Sequence, residues 1–175
     1  EETKEAYKRI FNHTPALISV AGVDGYFKEL NPEWENALGY TIGELKSKPL
    51  TGFIHPDDVA PTQREIEKQV QGGETAHFIN RYLHKDGTYR YLEWRATPSD
   101  QGNLYASARD ITAQVRAEND LKKNEENLRT TLNSIGDAVI ATDIKGNIVR
   151  MNPVAEELTG WSFNAAEGRT LDLVF

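Results

Sequence analysis

The chain of 175 residues is 38% hydrophobic and 27% charged, the proportions of an ordinary globular protein rather than of a disordered or fibrous one. Its formal charge is -7, and Lys8, Arg9, Lys122 and Lys123 are diluted by neighbouring Glu and Asn, so it offers no basic footprint for nucleic acid. Cysteine is absent, which excludes disulfides, thiolate nucleophiles, Cys-ligated zinc and photo-adducts on a thiol.

In chain order, the first expected strand is 17–21, and with a turn at Val23-Asp24-Gly25 and a second strand at 26–30 it makes a hairpin. Asn31-Pro32 then places an N-cap side chain before a proline suited to the first helical turn, starting a short helix that stops near Gly39. His55-Pro56-Asp57-Asp58 opens a longer helix with Val59, Ile66 and Val70 on one side, ended by Gly72-Gly73. Adjacent acids at a helix start answer orphan N–H groups and the helix dipole, and no nucleophile, base and orienter accompany Asp57 and Asp58, so they are read as capping groups rather than acid-base catalysts.

Three further strands are expected at 77–84, 89–97 and 104–109, separated by a Lys85-Asp86-Gly87 turn and a polar loop over 98–102. Two early strands, small helices and three late strands make an α+β domain. Asp110-Ile111-Thr112 supplies capping side chains for a run over 113–132 that holds neither Pro nor Gly, a helix roughly 28 Å long at 1.5 Å per residue.

An internal repeat settles the domain count. Sliding the chain by 121 positions aligns 11–54 with 132–175 without a gap and matches Gly25 with Gly146, Asn31-Pro32 with Asn152-Pro153, Glu35 with Glu156, Gly39 with Gly160 and Leu50 with Leu171. The expected organisation is a complete domain at 1–112, a connecting signalling helix at 113–131 and the amino-terminal part of a second copy at 132–175. A copy without its three late strands leaves the hairpin over 138–151 with an unpaired edge.

The ordered features Asn31-Pro32, Leu38-Gly39-Tyr40 with Gly43-Glu44-Leu45, His55-Pro56-Asp57-Asp58, Lys85-Asp86-Gly87-Thr88-Tyr89-Arg90, Trp94-Arg95-Ala96-Thr97-Pro98 and Ala108-Arg109-Asp110-Ile111-Thr112 resemble the PAS family with its PAC motif. Ala141-Thr142-Asp143, Asn152-Pro153 and Glu157-Leu158-Thr159-Gly160-Trp161 resemble the opening of another PAS domain. The resemblance implies a PAS fold, a five-stranded antiparallel sheet with flanking helices around a small pocket. It implies sensing within a bacterial or archaeal two-component histidine kinase or a cyclic-dinucleotide enzyme. It further implies that Asp110, Ile111 and Thr112 end the last strand and hand motion to the following helix.

Strand alternation puts Phe78, Asn80 and Tyr82 on one face, Leu92, Trp94 and Ala96 on one face of the next strand, and Leu104, Ala106 and Ala108 on one face of the last. An inward amide at Asn80 requires partners from protein, water or ligand. Asn80, Tyr82, Leu92, Trp94 and Ala108 are therefore the candidate ligand-binding residues, against the plainer reading that Asn80 bonds its own neighbours. The cofactor, if there is one, is left open. Cysteinyl-flavin chemistry lacks its thiol, and the positions similar to the flavin-binding amides are Tyr82, Leu92 and Ala108. Haem argues for an axial histidine that the segment 60–70 does not hold, and the four histidines have no ligand-pair spacing for a metal.

On the connecting helix Leu121, Leu128 and Ile135 fall at one heptad position and Ala117, Asn124 and Thr131 at the other. The expectation is a homodimer through Leu121 and Leu128, weighed against a helix folded back on its own domain. No catalytic constellation is present, so the fragment is read as a non-enzymatic sensor, with a ligand-free interaction scaffold as the rival. The longest apolar runs are too short to span a bilayer and residues 1–4 form no signal peptide. The expected setting is cytoplasmic, with no direct membrane contact, and is compatible with a membrane-anchored parent.

Overall fold

A computed structural model describes residues 2–174. The chain parts between Arg116 and Ala117 into two compact units, so the division falls just inside the connecting helix rather than at either of its ends.

The first unit runs α1 (Glu2–His13), β1 (Leu17–Gly22), β2 (Phe27–Leu30), α2 (Glu33–Leu38), α3 (Ile42–Lys46), α4 (Pro56–Val70), β3 (Thr75–Leu83), β4 (Tyr89–Ala96) and β5 (Asn103–Asp110), and the chain continues into α5 (Thr112–Ser134). The sheet is antiparallel, in the order β2-β1-β5-β4-β3, so the last strand lies at its centre. This is the five-stranded α+β architecture expected from the sequence.

Local chemistry explains most boundaries. Gly25 turns the first hairpin at φ 83°, with Tyr26 N–H donating to Asp24 Oδ1. Gly39 closes α2 at φ 75°, and its N–H donates to Glu35 O. Thr41 and Glu44 form a reciprocal capping box at the start of α3. At the start of α4, Pro56 takes the first turn and His55 Nδ1 accepts from Asp57 N–H.

Two expectations need correction. Asn31 does not cap α2: its Oδ1 accepts from Ile18 N–H at 2.9 Å and its Nδ2 donates to Ala16 O at 2.8 Å, so the amide is spent tying the helix entry to β1. Val70 does not share the buried side of α4. Thr62 and Gln69 are buried there and Val59 and Ile66 pack on the core, whereas Val70 is 51% exposed. At 100° per residue the buried arc centres between Thr62 and Ile66, which leaves Val70 at its margin in the last turn.

The core of this unit is built around Trp34, which is fully buried and donates from Nε1 to Ile18 O at 3.0 Å. Its ring lies 5.3 Å from Phe27, 6.0 Å from Tyr82 and 5.8 Å from Trp94. Each such aromatic contributes about 1.5–3 kcal/mol by leaving water, more where rings meet edge to face.

The second unit carries β6 (Ile140–Thr142), β7 (Ile148–Met151), α6 (Pro153–Thr159) and α7 (Phe163–Ala166). Ile148, Met151, Ala155, Ala166 and Val174 form its small core. The repeat is visible in bonds as well as letters. Leu50 N–H donates to Gly25 O and Leu171 N–H to Gly146 O; Asn31 N–H donates to Ile18 O and Asn152 N–H to Val139 O. Ile42 and Phe163 N–H donate to the carboxylates of Glu35 and Glu156. The residues matched across the repeat are those whose turns, caps and tethers define the unit.

Candidate functional site

Inside the first unit, between the sheet and α4, lies a cavity of about 60 Å³. It exists because four small side chains stand in register across four strands. Thr75 of β3 pairs with Ala96 of β4, Ala96 with Ala106 of β5, and Ala106 with Ser19 of β1. All four line the cavity. Further along the sheet, Trp94, Asn80 and Tyr82 in three successive rows supply its larger wall, and Thr62, Glu65, Ile66 and Gln69 supply the wall from α4.

Thr75 reaches that row through an irregularity. Plain alternation from Phe78, Asn80 and Tyr82 would turn Thr75 outward, but the β3 register shifts between Thr75 and Phe78 around His77, whose φ is 58°. The extra residue restores Thr75 to the inner face.

Ser19 Oγ donates on its own to Ala106 O at 3.4 Å, and other polar groups of the cavity form two bonded sets. Trp94 Nε1 donates to Asn80 Oδ1 at 2.7 Å, Asn80 Nδ2 donates to Thr62 Oγ1 at 3.0 Å, and Thr62 Oγ1 donates to Asp58 O at 2.7 Å. Gln69 Nε2 donates to Thr75 Oγ1 at 3.0 Å, and Thr75 Oγ1 donates to Glu65 Oε2 at 2.8 Å. Next to the first set, Asp58 takes Arg81 in a fork, with Oδ2 accepting from Nε at 2.8 Å and Oδ1 from Nη2 at 2.7 Å. Arg81's hydrogen bonds hold the Asp58 carboxyl below its ordinary value, while burial pushes the Tyr82 phenol up.

Of the residues anticipated from sequence, Asn80, Tyr82 and Trp94 line the cavity and Leu92 and Ala108 do not. Both face inward and are buried, yet Ala108 pairs with Trp94 and Leu92 with Asp110, placing them along the sheet from the small-residue row, where the rings of Trp34, Tyr82 and Trp94 fill the interior. Sequence reasoning missed Ser19, Thr62, Glu65, Gln69 and Thr75. A buried helix face that carries Thr62 and Gln69 in place of aliphatic residues was the available signal.

The exit from the cavity is bonded to it through β4 and β5. Asp110 Oδ1 accepts from Thr112 N–H at 2.8 Å, Thr112 Oγ1 accepts from Tyr91 N–H at 2.8 Å, and Ile111 N–H donates to Tyr91 O at 2.9 Å. The first turn of α5 is thus tied to the strand that carries Trp94 and Ala96. Further along α5, Leu121 and Leu128 are exposed. Among the described residues no group of three or more His, Asp or Glu could hold a metal ion, and no helix is long and apolar enough to cross a membrane.

Comparison with known proteins agrees with this architecture. A family model described as a PAS fold matches residues 27–106, and a second of the same description matches residues 126–175. A probable diguanylate cyclase, DgcE of Escherichia coli K12, is 34% identical over 120 residues, covering 66% of this chain and 11% of that protein. The uncharacterized protein y4lL of Sinorhizobium fredii is 24% identical over 170 residues, covering 94% of this chain and 20% of its own length. The chain therefore spans only a small part of these relatives. Among solved structures, a domain of a sensory box sensor histidine kinase/response regulator from Geobacter sulfurreducens is similar with TM-score 0.56 at 21% identity, covering 62% of this chain and 94% of that one. The PAS domain of a protein from Colwellia psychrerythraea gives TM-score 0.57 at 24% identity, covering 65% and 99%. Five antiparallel strands with β5 at the centre, flanking helices and a repeated opening unit, matched twice by the same family description, make this chain a member of the PAS domain family.

Proposed function

We propose that the chain is the sensory part of a signalling protein, in which a small molecule occupies the cavity and the occupied state is passed through Asp110, Ile111 and Thr112 into α5. The observation that carries this reading is the sharing of strands. Ala96 and Ala106 form the cavity floor on β4 and β5, and the same two strands hold the first turn of α5 through Tyr91 and Asp110. A shift of either strand by an occupant changes the anchor of the helix. In this reading 1–112 senses, 113–131 transmits, and the second copy at 132–175 receives on behalf of an output domain such as the histidine kinase or diguanylate cyclase of the relatives.

A helix reports rotation only to something that registers it, and the exposed Leu121 and Leu128, at 62% and 49%, suit a partner helix in a homodimer. Asn124 at the alternate heptad position lets two registers lie close in energy, as a switch requires. The rival reading, a ligand-free scaffold, draws support from Asn80, whose amide is already bonded on both sides by Thr62 and Trp94.

The two are separated by native mass spectrometry of protein purified without added ligand, with sedimentation of the intact chain and of the double variant Leu121→Glu, Leu128→Glu. A bound small molecule, a dimer, and a monomeric variant are expected. An empty protein with identical mass for both chains overturns the sensor and its dimer helix together.

A further inference from the structure

Resting on the reading of the cavity as a ligand site, we propose that its occupant is a short-chain primary amine, bound as the ammonium ion with Glu65 at its head. The lining supplies one carboxylate, Glu65, and no Lys, Arg or His, so nothing there balances an anionic ligand. Four aromatic side chains, Phe27, Phe78, Tyr82 and Trp94, share the lining, and ring faces attract cations.

Hydrogen-bond polarity points the same way. On the α4 side the Thr75 hydroxyl proton is committed to Glu65 Oε2 and one Gln69 amide proton to Thr75. Among the described residues, Gln69 Oε1 and Glu65 Oε1 accept no hydrogen bond, and the two residues, one helical turn apart on α4, both line the cavity. An ammonium group with three donors answers both and keeps one proton for water. Glu65 has a side chain 28% exposed, so the charge is not carried into a dry interior. Lys68 Nζ lies 3.6 Å from Glu65 Oε2 and is itself half exposed, an ion pair of the kind that contributes little and leaves the carboxylate open to competition. The rest of the space is apolar, floored by Ala96 and Ala106, and suits a hydrocarbon tail.

Size limits the tail. A cavity of 60 Å³ at about 10–15 Å³ per water-sized group takes about four to six such groups, a chain of three or four carbons and its nitrogen.

The test uses the whole chain and three probes of equal length at matched ionic strength: n-butylammonium chloride, n-butanol and sodium butyrate. Binding is read from the amide resonances of Glu65, Gln69, Thr75 and Phe78 and from the thermal midpoint. Butylammonium is expected to saturate these shifts at least tenfold more tightly than butanol, with butyrate inert, and Glu65→Gln is expected to remove that preference while leaving butanol binding in place. If butanol or butyrate binds as well as butylammonium, or if Glu65→Gln leaves the preference intact, the amine assignment is overturned and the cavity remains a ligand site for another class. If no probe moves these amides, the amine and the small-ligand reading fall together.

Discussion

Asp58 illustrates how one side chain serves several layers of the structure. It lies in the first turn of α4, where a carboxylate suits the helix dipole, and its fork with Arg81 joins that turn to β3. Its main-chain carbonyl also receives Thr62, the start of the bonded path to Trp94. The sequence identified Asp57 and Asp58 as helix-opening acids, because Pro56 and the helix start are local features. Arg81 lies across the unit, and no local pattern announces a partner in another element. Because Arg81 lowers the folded pKa of Asp58 below the unfolded value near ~3.9, the pair stabilises the protein above that pH, and the contribution is lost as pH falls through the folded pKa. Asp58→Asn should therefore cost about 1–3 kcal/mol at pH 7 in urea unfolding, with the gap to the parent closing as pH is lowered below ~4. A gap of equal size at pH 3 would show that the carboxylate charge is not what matters at this position.

At the level of elements, the two copies allow a controlled comparison. Gly39 and Gly160 both end a helix in the left-handed region, at φ 75° and 71°, and both donate to a glutamate carbonyl one turn back. They differ in surroundings: a Cβ at Gly39 meets the His84 ring at 3.1 Å, and a Cβ at Gly160 meets nothing within 4 Å. Gly160→Ala should cost its own unit about 1–2 kcal/mol of backbone strain, and Gly39→Ala should cost at least about 1 kcal/mol more, read by hydrogen exchange of the amides in each unit. Equal costs would mean that the His84 ring swings aside freely. Such punctuation was legible in the sequence because Gly, Asn and Pro act on their own backbone. Asn31 and Asn152 mark the limit of that legibility. Asn152 Oδ1 accepts from both Ala155 N–H and Val139 N–H, so it is cap and tether together, whereas Asn31 is tether alone. The letters are identical, and what distinguishes them is the path of the chain beside them. The bulge at His77 was illegible for a related reason: alternation counts residues and cannot see one that is skipped.

For the molecule as a whole, the placement of β5 matters more than any single contact. The last strand of the first unit is inserted between β1 and β4, so the sheet closes only when the final segment of the domain arrives, and the helix that follows starts from the sheet's centre rather than its rim. In the second unit β6, the counterpart of β1, pairs only with β7 among the described residues. The fold class and the tandem arrangement were visible in the repeat. The cavity was not, because it arises from Ser19, Thr75, Ala96 and Ala106 meeting across four strands that no stretch of sequence sets side by side. That same gap makes the first unit compressible. Hydrostatic pressure favours whichever state discards empty volume, and the volume change of unfolding scales with the internal space that is lost, to which this cavity contributes. Ala106→Val, which adds two methyl groups to the floor, should reduce the magnitude of the unfolding volume change, as followed by high-pressure NMR of the β4 and β5 amides, and an unchanged value would mean that the gap collapses before the sheet does. An occupant of the kind proposed would act in the same direction as the added methyls, so a loaded protein would be the one that stays rigid under load.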